Sequence, residues 1–318
     1  ANDAHEWLSL IDISGPFLAP PVLDSAFPQG LDGLEGAKKT AIRQDYEEWV
    51  EAIDADDDDS LLIHGAWIDQ VLKEVLEWDE DGSGENLKAT GPIIESLHYE
   101  NPDHGIAVKP DWVLVDDRSS DKPFIAVQVL PPDSDLDGAP DGSAWAASAG
   151  ERFIELLRHN ELRLGLITNG ESWRLIDAPV GGVTTFATWQ ARLWSQEPTT
   201  LQAFIALFRI GRFFGDAARQ LPSMLDASLQ HQDEVTDALG DQITRAVEVL
   251  IQALDKADAD RNRELLEGIE PEVLYEASLT LMMRLVFLLC AEERELMDVV
   301  TLERFDSAYA VSSLRMQL

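Results

Sequence analysis

The chain has 318 residues, 45% of them hydrophobic, enough to bury more than one sizeable core and too apolar for an intrinsically disordered segment. Its 60 acidic residues outweigh 24 basic ones, a formal net charge of −36, which excludes a nucleic-acid binder that works by overall charge. A single cysteine, Cys290, excludes an intrachain disulfide framework.

Residues 1–35 read as an extended arm, because Gly15-Pro16, Pro20-Pro21, Pro28, Gly30 and Gly33 punctuate it. Ile42, Tyr46, Trp49 and Ile53 then share one face of a helix over 36–53. The acidic run Asp56–Asp59 reads as a solvated loop. Ser60 can cap a second helix that runs to about Trp78 and carries Leu61, Ile68, Val71, Leu72, Val75 and Leu76. Asp79 to Glu85 reads as a turn.

From about 92 to 187 the pattern becomes β-like, with short apolar runs at 105–108, 111–116, 124–130, 163–168, 172–177 and 183–187. One helix, about 145–160, lies between the third and fourth runs and predicts a βαβ-like crossover. Asn169-Gly170 predicts a tight hairpin turn into the next strand. Residues 36–190 are therefore expected to form an α/β sandwich.

Helices are expected from about 191 onward, over 198–215, 222–255 and 271–297. The last is apolar around much of its circumference, which predicts a buried central helix. The segment Ser312–Leu318 is helix-like and lacks a polar tail, so it reads as a cut inside a longer protein. No apolar run approaches the roughly 18–20 residues that span a bilayer; the densest, Leu279–Leu289, contains Arg284. Residues 1–6 carry no signal-peptide pattern, so the expected setting is cytoplasmic, with no membrane partner.

The chemistry centres on two strands. Pro110-Asp111 opens the first, and Ala126 and Gln128 lie in the second. Glu74 and Glu77, on the preceding helix, could add a carboxylate ligand for a hard metal. Arg152, Arg158, Arg163 and Arg174 form the densest basic cluster of the chain and are candidates for phosphate or partner contact. Pairing with their many acidic neighbours is the alternative.

Two acidic loops open like calcium loops, Asp133-x-Asp135-x-Asp137-Gly138 and Asp79-x-Asp81-x-Ser83-Gly84. Each lacks the closing glutamate, with Ala144 and Thr90 in its place, so both read as solvated turns. The six histidines show no metal-ligand spacing; His98 and His104 flank a polar turn before the Asp111 strand. There is no GxxxxGK[ST] phosphate loop, no G-x-S-x-G elbow and no Asn-Pro-Pro-[Tyr/Phe].

The strand pair resembles metal-dependent nucleases of the PD-(D/E)xK type. In that family a carboxylate opens one strand, and a second carboxylate and a lysine follow in the next, around Mg²⁺. Asp111 matches the first carboxylate, while Ala126 and Gln128 depart from the other two, so the resemblance implies the fold without the full chemistry. Mg²⁺ is implied only for a live site.

Further strings are similar to large type IIG-like restriction–modification proteins. They are Glu151–Arg158 followed by Leu164–Leu175, with its Leu-Ile-Thr-Asn-Gly hairpin, then Glu234–Glu248 and Tyr275–Glu293. Related methyltransferases serve phage-defence systems such as DISARM and BREX. The resemblance implies a nuclease-like sandwich over 36–190 and a helical connector over 191–318. That connector would lead to an adenine-specific methyltransferase domain, which would bind S-adenosylmethionine, with DNA and defence-system subunits as partners.

Two other readings remain open at this stage: an active Mg²⁺-dependent type IIG-like endonuclease, and a non-enzymatic acidic interaction or DNA-mimic protein. The acidity itself has three explanations: adaptation to a salt-rich cytosol, a missing basic region or partner, and mimicry of DNA. Only seven of the 24 basic residues are lysines, which fits the first.

Overall fold

The computed structural model describes residues 5–55, 59–119, 121–140 and 142–293. Most of the expected acidic loop, residues 56–58, and the segment Ser312–Leu318 lie outside the described residues. The chain divides into two compact units, Ala1–His231 and Gln232–Leu318.

The first unit is an α/β structure. Its helices and strands follow in the order β1 (Asp12–Ser14), α1 (Pro20–Ala26), α2 (Gly36–Asp54), α3 (Ser60–Gln70), β2 (Leu87–Lys88), α4 (Pro92–Ser96), β3 (Tyr99–Asn101), β4 (Ile106–Val108), β5 (Trp112–Asp116) and β6 (Lys122–Val129). Next come α5 (Ala149–His159), β7 (Leu164–Thr168), β8 (Ser172–Asp177), β9 (Thr185–Gln190), α6 (Leu193–Gln196), α7 (Pro198–Phe208) and α8 (Gly211–Phe214). Then α9 (Leu221–Asp260) begins.

Seven strands form one mixed sheet in the order β1-β9-β8-β7-β6-β5-β2, and β3 pairs with β4 separately. The β6–β7 pair is parallel, while the other neighbours in the large sheet are antiparallel. Helix α5 makes the β6-to-β7 connection, so the expected crossover is present. A capping box starts it: the Ser148 hydroxyl accepts from the Glu151 N–H at 3.2 Å, and the Glu151 carboxylate accepts from the Ser148 N–H at 2.7 Å.

Strand alternation sends side chains to two cores. Leu114, Ile125, Val127, Leu164, Leu166 and Leu175 face one side, under α2, α3 and α7. Val113, Val115, Ala126, Ile167 and Ile176 face the other, under α5.

The described part of the arm expected over 1–35, from His5 onward, is structured. Trp7, Phe17, Leu18 and Leu23 are buried, and β1 completes the sheet edge on β9. Their apolar side chains reward docking more than Pro and Gly reward an open arm. The helices after 190 likewise begin inside this unit, because Trp194, Phe204, Phe208 and Phe213 fill the first core.

The second helix changes character at its end. Val71–Val75 is a π-helical turn, with Leu76 N–H donating to Val71 O at 3.0 Å. The inserted residue lets Leu72, Val75, Leu76 and Trp78 all turn inward, and Glu77 closes the helix with φ of 63°.

The second unit contains the rest of α9 and α10 (Pro271–Glu293). Between them Asp258 closes α9 by accepting from Leu266 N–H at 3.0 Å. The expectation of a buried central helix fails. Within α10, the 22-residue stretch Pro271–Glu292 contains an 18-residue window of mean hydropathy 1.7 of which 6% is buried, with Met283 and Phe287 exposed. By length and composition this helix could cross a membrane, which the run Leu279–Leu289 alone did not show. Residues 294–297 of the expected helix lie outside the described ones.

Candidate functional site

Asp111 sits at the mouth of the β5–β6 pair. Its N–H donates to Val127 O at 2.8 Å, and its Oδ2 accepts from Val129 N–H at 2.7 Å. The carboxylate thus stands where a backbone carbonyl would continue the ladder. Desolvation raises its pKa above the ordinary value, and the Val129 N–H works against that rise.

These two bonds bracket Gln128. Its side chain shares a sheet face with Ala126 and Leu130, and its Oε1 is buried with no hydrogen-bond partner among the described residues. Ala126 lies deeper, opposite Val113 and completely buried in the α5-side core. At the level of Asp111 the chemistry-bearing neighbour is therefore Gln128, and Leu130 is the next residue on that face.

Glu74 and Glu77 lie elsewhere. They line a cleft of about 860 Å³ with Lys38, Gln202, Arg209 and Arg212, among helices of the opposite sheet face. Glu77 pairs with Arg209 at 2.9 Å and with Lys38 at 3.6 Å. The structure does not bring these two glutamates to Gln128. Among the described residues no group of three or more His, Cys, Asp or Glu side chains is arranged to hold a metal ion. Of Asp111, Ala126 and Gln128, only Asp111 is a carboxylate, and Gln128 adds a neutral amide oxygen, so the set offers Mg²⁺ less negative charge than a pair of carboxylates would.

Three of the four arginines face inward. Buried Arg152 donates to Ala147 O at 3.0 Å, to Ser143 Oγ at 2.7 Å and to Trp145 O, and lies over the Trp145 ring. Arg163 holds Asp177 through two bonds of 2.7 and 3.1 Å and Asp226 through one of 2.7 Å. Burial opposes the Arg163 charge, but the hydrogen-bonded carboxylates of Asp177 and then Asp226 outweigh it and raise its pKa. Arg174 grips Asp137 at 2.6 and 3.0 Å, and this bond holds the Asp137 pKa below its usual value. Arg158 is exposed, with Thr184 Oγ1 at 2.8 Å and Glu155 at 3.9 Å.

The acidic loops are held by their own backbones. Asp79 accepts from Gly84 N–H and Asp81 from Ser83 N–H, while Asp135 accepts from Asp137 N–H. His104 stacks on Trp145, and His98 accepts from Asn160 through its carbonyl oxygen.

Sequence reasoning missed a polar cluster beneath the Asn169-Gly170 turn. Trp49 Nε1 donates to His64 Nδ1 at 3.1 Å, so His64 is neutral with its proton on Nε2, which donates to Leu130 O at 2.9 Å. Burial lowers the His64 pKa, and the bond to Leu130 only partly offsets this. Trp67 and Trp173 both donate to Gly170 O, at 2.9 and 3.1 Å. The available signal was Trp49, His64 and Trp67 on the inward faces of consecutive helices. This cluster anchors Leu130, the residue beyond Gln128, to the helices.

Comparison with protein-family models, with curated proteins and with solved structures finds no match. The reading of this site therefore rests on its residues.

Proposed function

We propose that this chain is the nuclease-like and helical portion of a DNA methyltransferase from a restriction–modification or phage-defence system, and that it does not cleave DNA. The supporting observation is the β5–β6–α5–β7 arrangement with Asp111 bracketing Gln128. A helix pair, an antiparallel strand pair led by Pro-Asp, and a helical crossover to a parallel strand follow the order of PD-(D/E)xK nucleases. At the second-carboxylate and lysine positions the chain carries Ala126 and Gln128.

Neither residue supplies the charge that phosphodiester hydrolysis draws from those positions. One oxygen of Asp111 accepts from Val129 N–H and closes the ladder there. The module's task is then to position DNA or partner subunits for a methylating domain of the same protein, which would bind S-adenosylmethionine. Arg158 is the exposed member of the arginine cluster and carries the DNA-contact part of the reading.

The acidic-interaction reading also draws support, because Asp137, Asp177 and Asp226 occupy the guanidinium groups of Arg163 and Arg174. Fluorescence anisotropy of a labelled DNA duplex titrated with the chain separates the two. DNA positioning predicts saturable, salt-sensitive binding that Arg158→Glu weakens at least threefold. Absence of DNA binding, with capture of a basic protein that DNA displaces, favours the acidic-interaction reading.

A further inference from the structure

Between α2 and the start of α7 lies a small pocket of about 160 Å³. Its floor is Ile42, Ala191, Trp194 and Leu201, and its mouth carries Lys39 and Arg43. The charge of this lining is unusual for the chain. Acidic residues outnumber basic ones 60 to 24 overall, yet two bases and no carboxylate line this pocket. Lys39 is half-buried and makes no ion pair among the described residues, and Arg43 has only an exposed pair with Glu47 at 3.6 Å. Trp194 is 5% exposed and its buried Nε1 has no hydrogen-bond partner among the described residues.

We infer that this pocket binds a small organic acid, with an apolar body about the size of one ring against Ile42, Ala191 and Leu201 and an anionic head toward Lys39 and Arg43. A volume of about 160 Å³ admits a benzene-sized group. The cations at the mouth select for charge, and the Trp194 ring is part of the apolar floor. This site is independent of the Asp111 strand pair and does not depend on the DNA reading.

The probe is benzoate, with benzamide as its neutral isostere, titrated into the full chain at fixed KCl. Trp indole N–H cross-peaks in ¹H–¹⁵N NMR are the readout, and Trp194→Phe assigns the relevant peak. The inference predicts saturable shifts of the Trp194 peak by benzoate. It also predicts at least fivefold weaker binding of benzamide, and a similar loss in Lys39→Met/Arg43→Gln, whose side chains lie at the mouth and outside the core. Equal binding of the two probes, no effect of the double substitution, or no saturable shift of that peak overturns it. Chemical-shift dispersion of the other tryptophans confirms that each variant is folded.

Discussion

Gly170→Ala tests how tightly the hairpin turn is locked into the helices. Gly170 has φ of +89°, and a Cβ there would lie 2.7 Å from Trp49 Cζ2 and 3.0 Å from His64 Cε1. The left-handed backbone costs a non-glycine residue about 1–2 kcal/mol. Overpacking against rings that hydrogen bonds hold in place costs about 1–3 kcal/mol more. Reduced freedom of the unfolded chain returns about 0.4–1 kcal/mol. The expected net loss is about 1–5 kcal/mol, a fall in Tm of roughly 2–20 °C for a unit of this size. Gly30→Ala is the control, with φ of +80° and nothing within 4 Å, so it carries the backbone cost alone. Thermal unfolding followed by near-UV circular dichroism reads both. If Gly170→Ala is no worse than Gly30→Ala, the turn is not clamped by Trp49 and His64.

Three further predictions follow from the polar groups. The folded state holds His64 below its ordinary pKa of 6.5, so the unfolded chain binds the extra proton first. Stability is then full above about pH 6.5 and declines as pH falls below it, with a slope of at most about 1.4 kcal/mol per pH unit from this group. In His64→Gln, urea midpoints between pH 5 and 7 should lose that slope, and an unchanged slope would assign it elsewhere. Asp111 has a raised pKa, so stability starts to fall as pH rises past the ordinary carboxylate value of 3.8 and the loss is complete above the raised folded value. Asp111→Asn keeps an acceptor for Val129 and, because solvent screens this exposed carboxylate, should leave stability at pH 7 unchanged or slightly higher; a clear loss would show that the charge itself is stabilising. Arg163→Met leaves Asp177 buried without its partner and should cost about 2–3 kcal/mol, below the full buried-pair range because Arg163 keeps a solvent-facing edge. A urea-midpoint change near zero would place that pair among the inconsequential ones.

Much of the sheet was legible because β5, β6 and β7 are short apolar runs buried on both faces and bounded by turn residues, and because Asn169-Gly170 is an unambiguous turn. The crossover helix showed through its amphipathic run. The arm was misread because Pro and Gly mark local turns, whereas Trp7 and Phe17 are drawn into the core by partners more than a hundred residues away. Helix α10 was expected inside because its composition is apolar all round, and composition does not tell which neighbours a helix meets. At the site, sequence spacing singled out Asp111 and Gln128. Only the bonds from Asp111 to Val127 and Val129 reveal which residue of β6 lies level with it. The inward turn of Arg152, Arg163 and Arg174 was equally hidden, since each partner is fixed by tertiary contacts with other loops and strands.

The central claim is a nuclease-like strand pair that lacks nuclease chemistry. Incubating supercoiled plasmid DNA with the chain in Mg²⁺ or Mn²⁺, beside Asp111→Ala, tests it most directly. The account predicts that both proteins leave the plasmid supercoiled; nicking or linearisation by the unaltered chain that Asp111→Ala abolishes would contradict it.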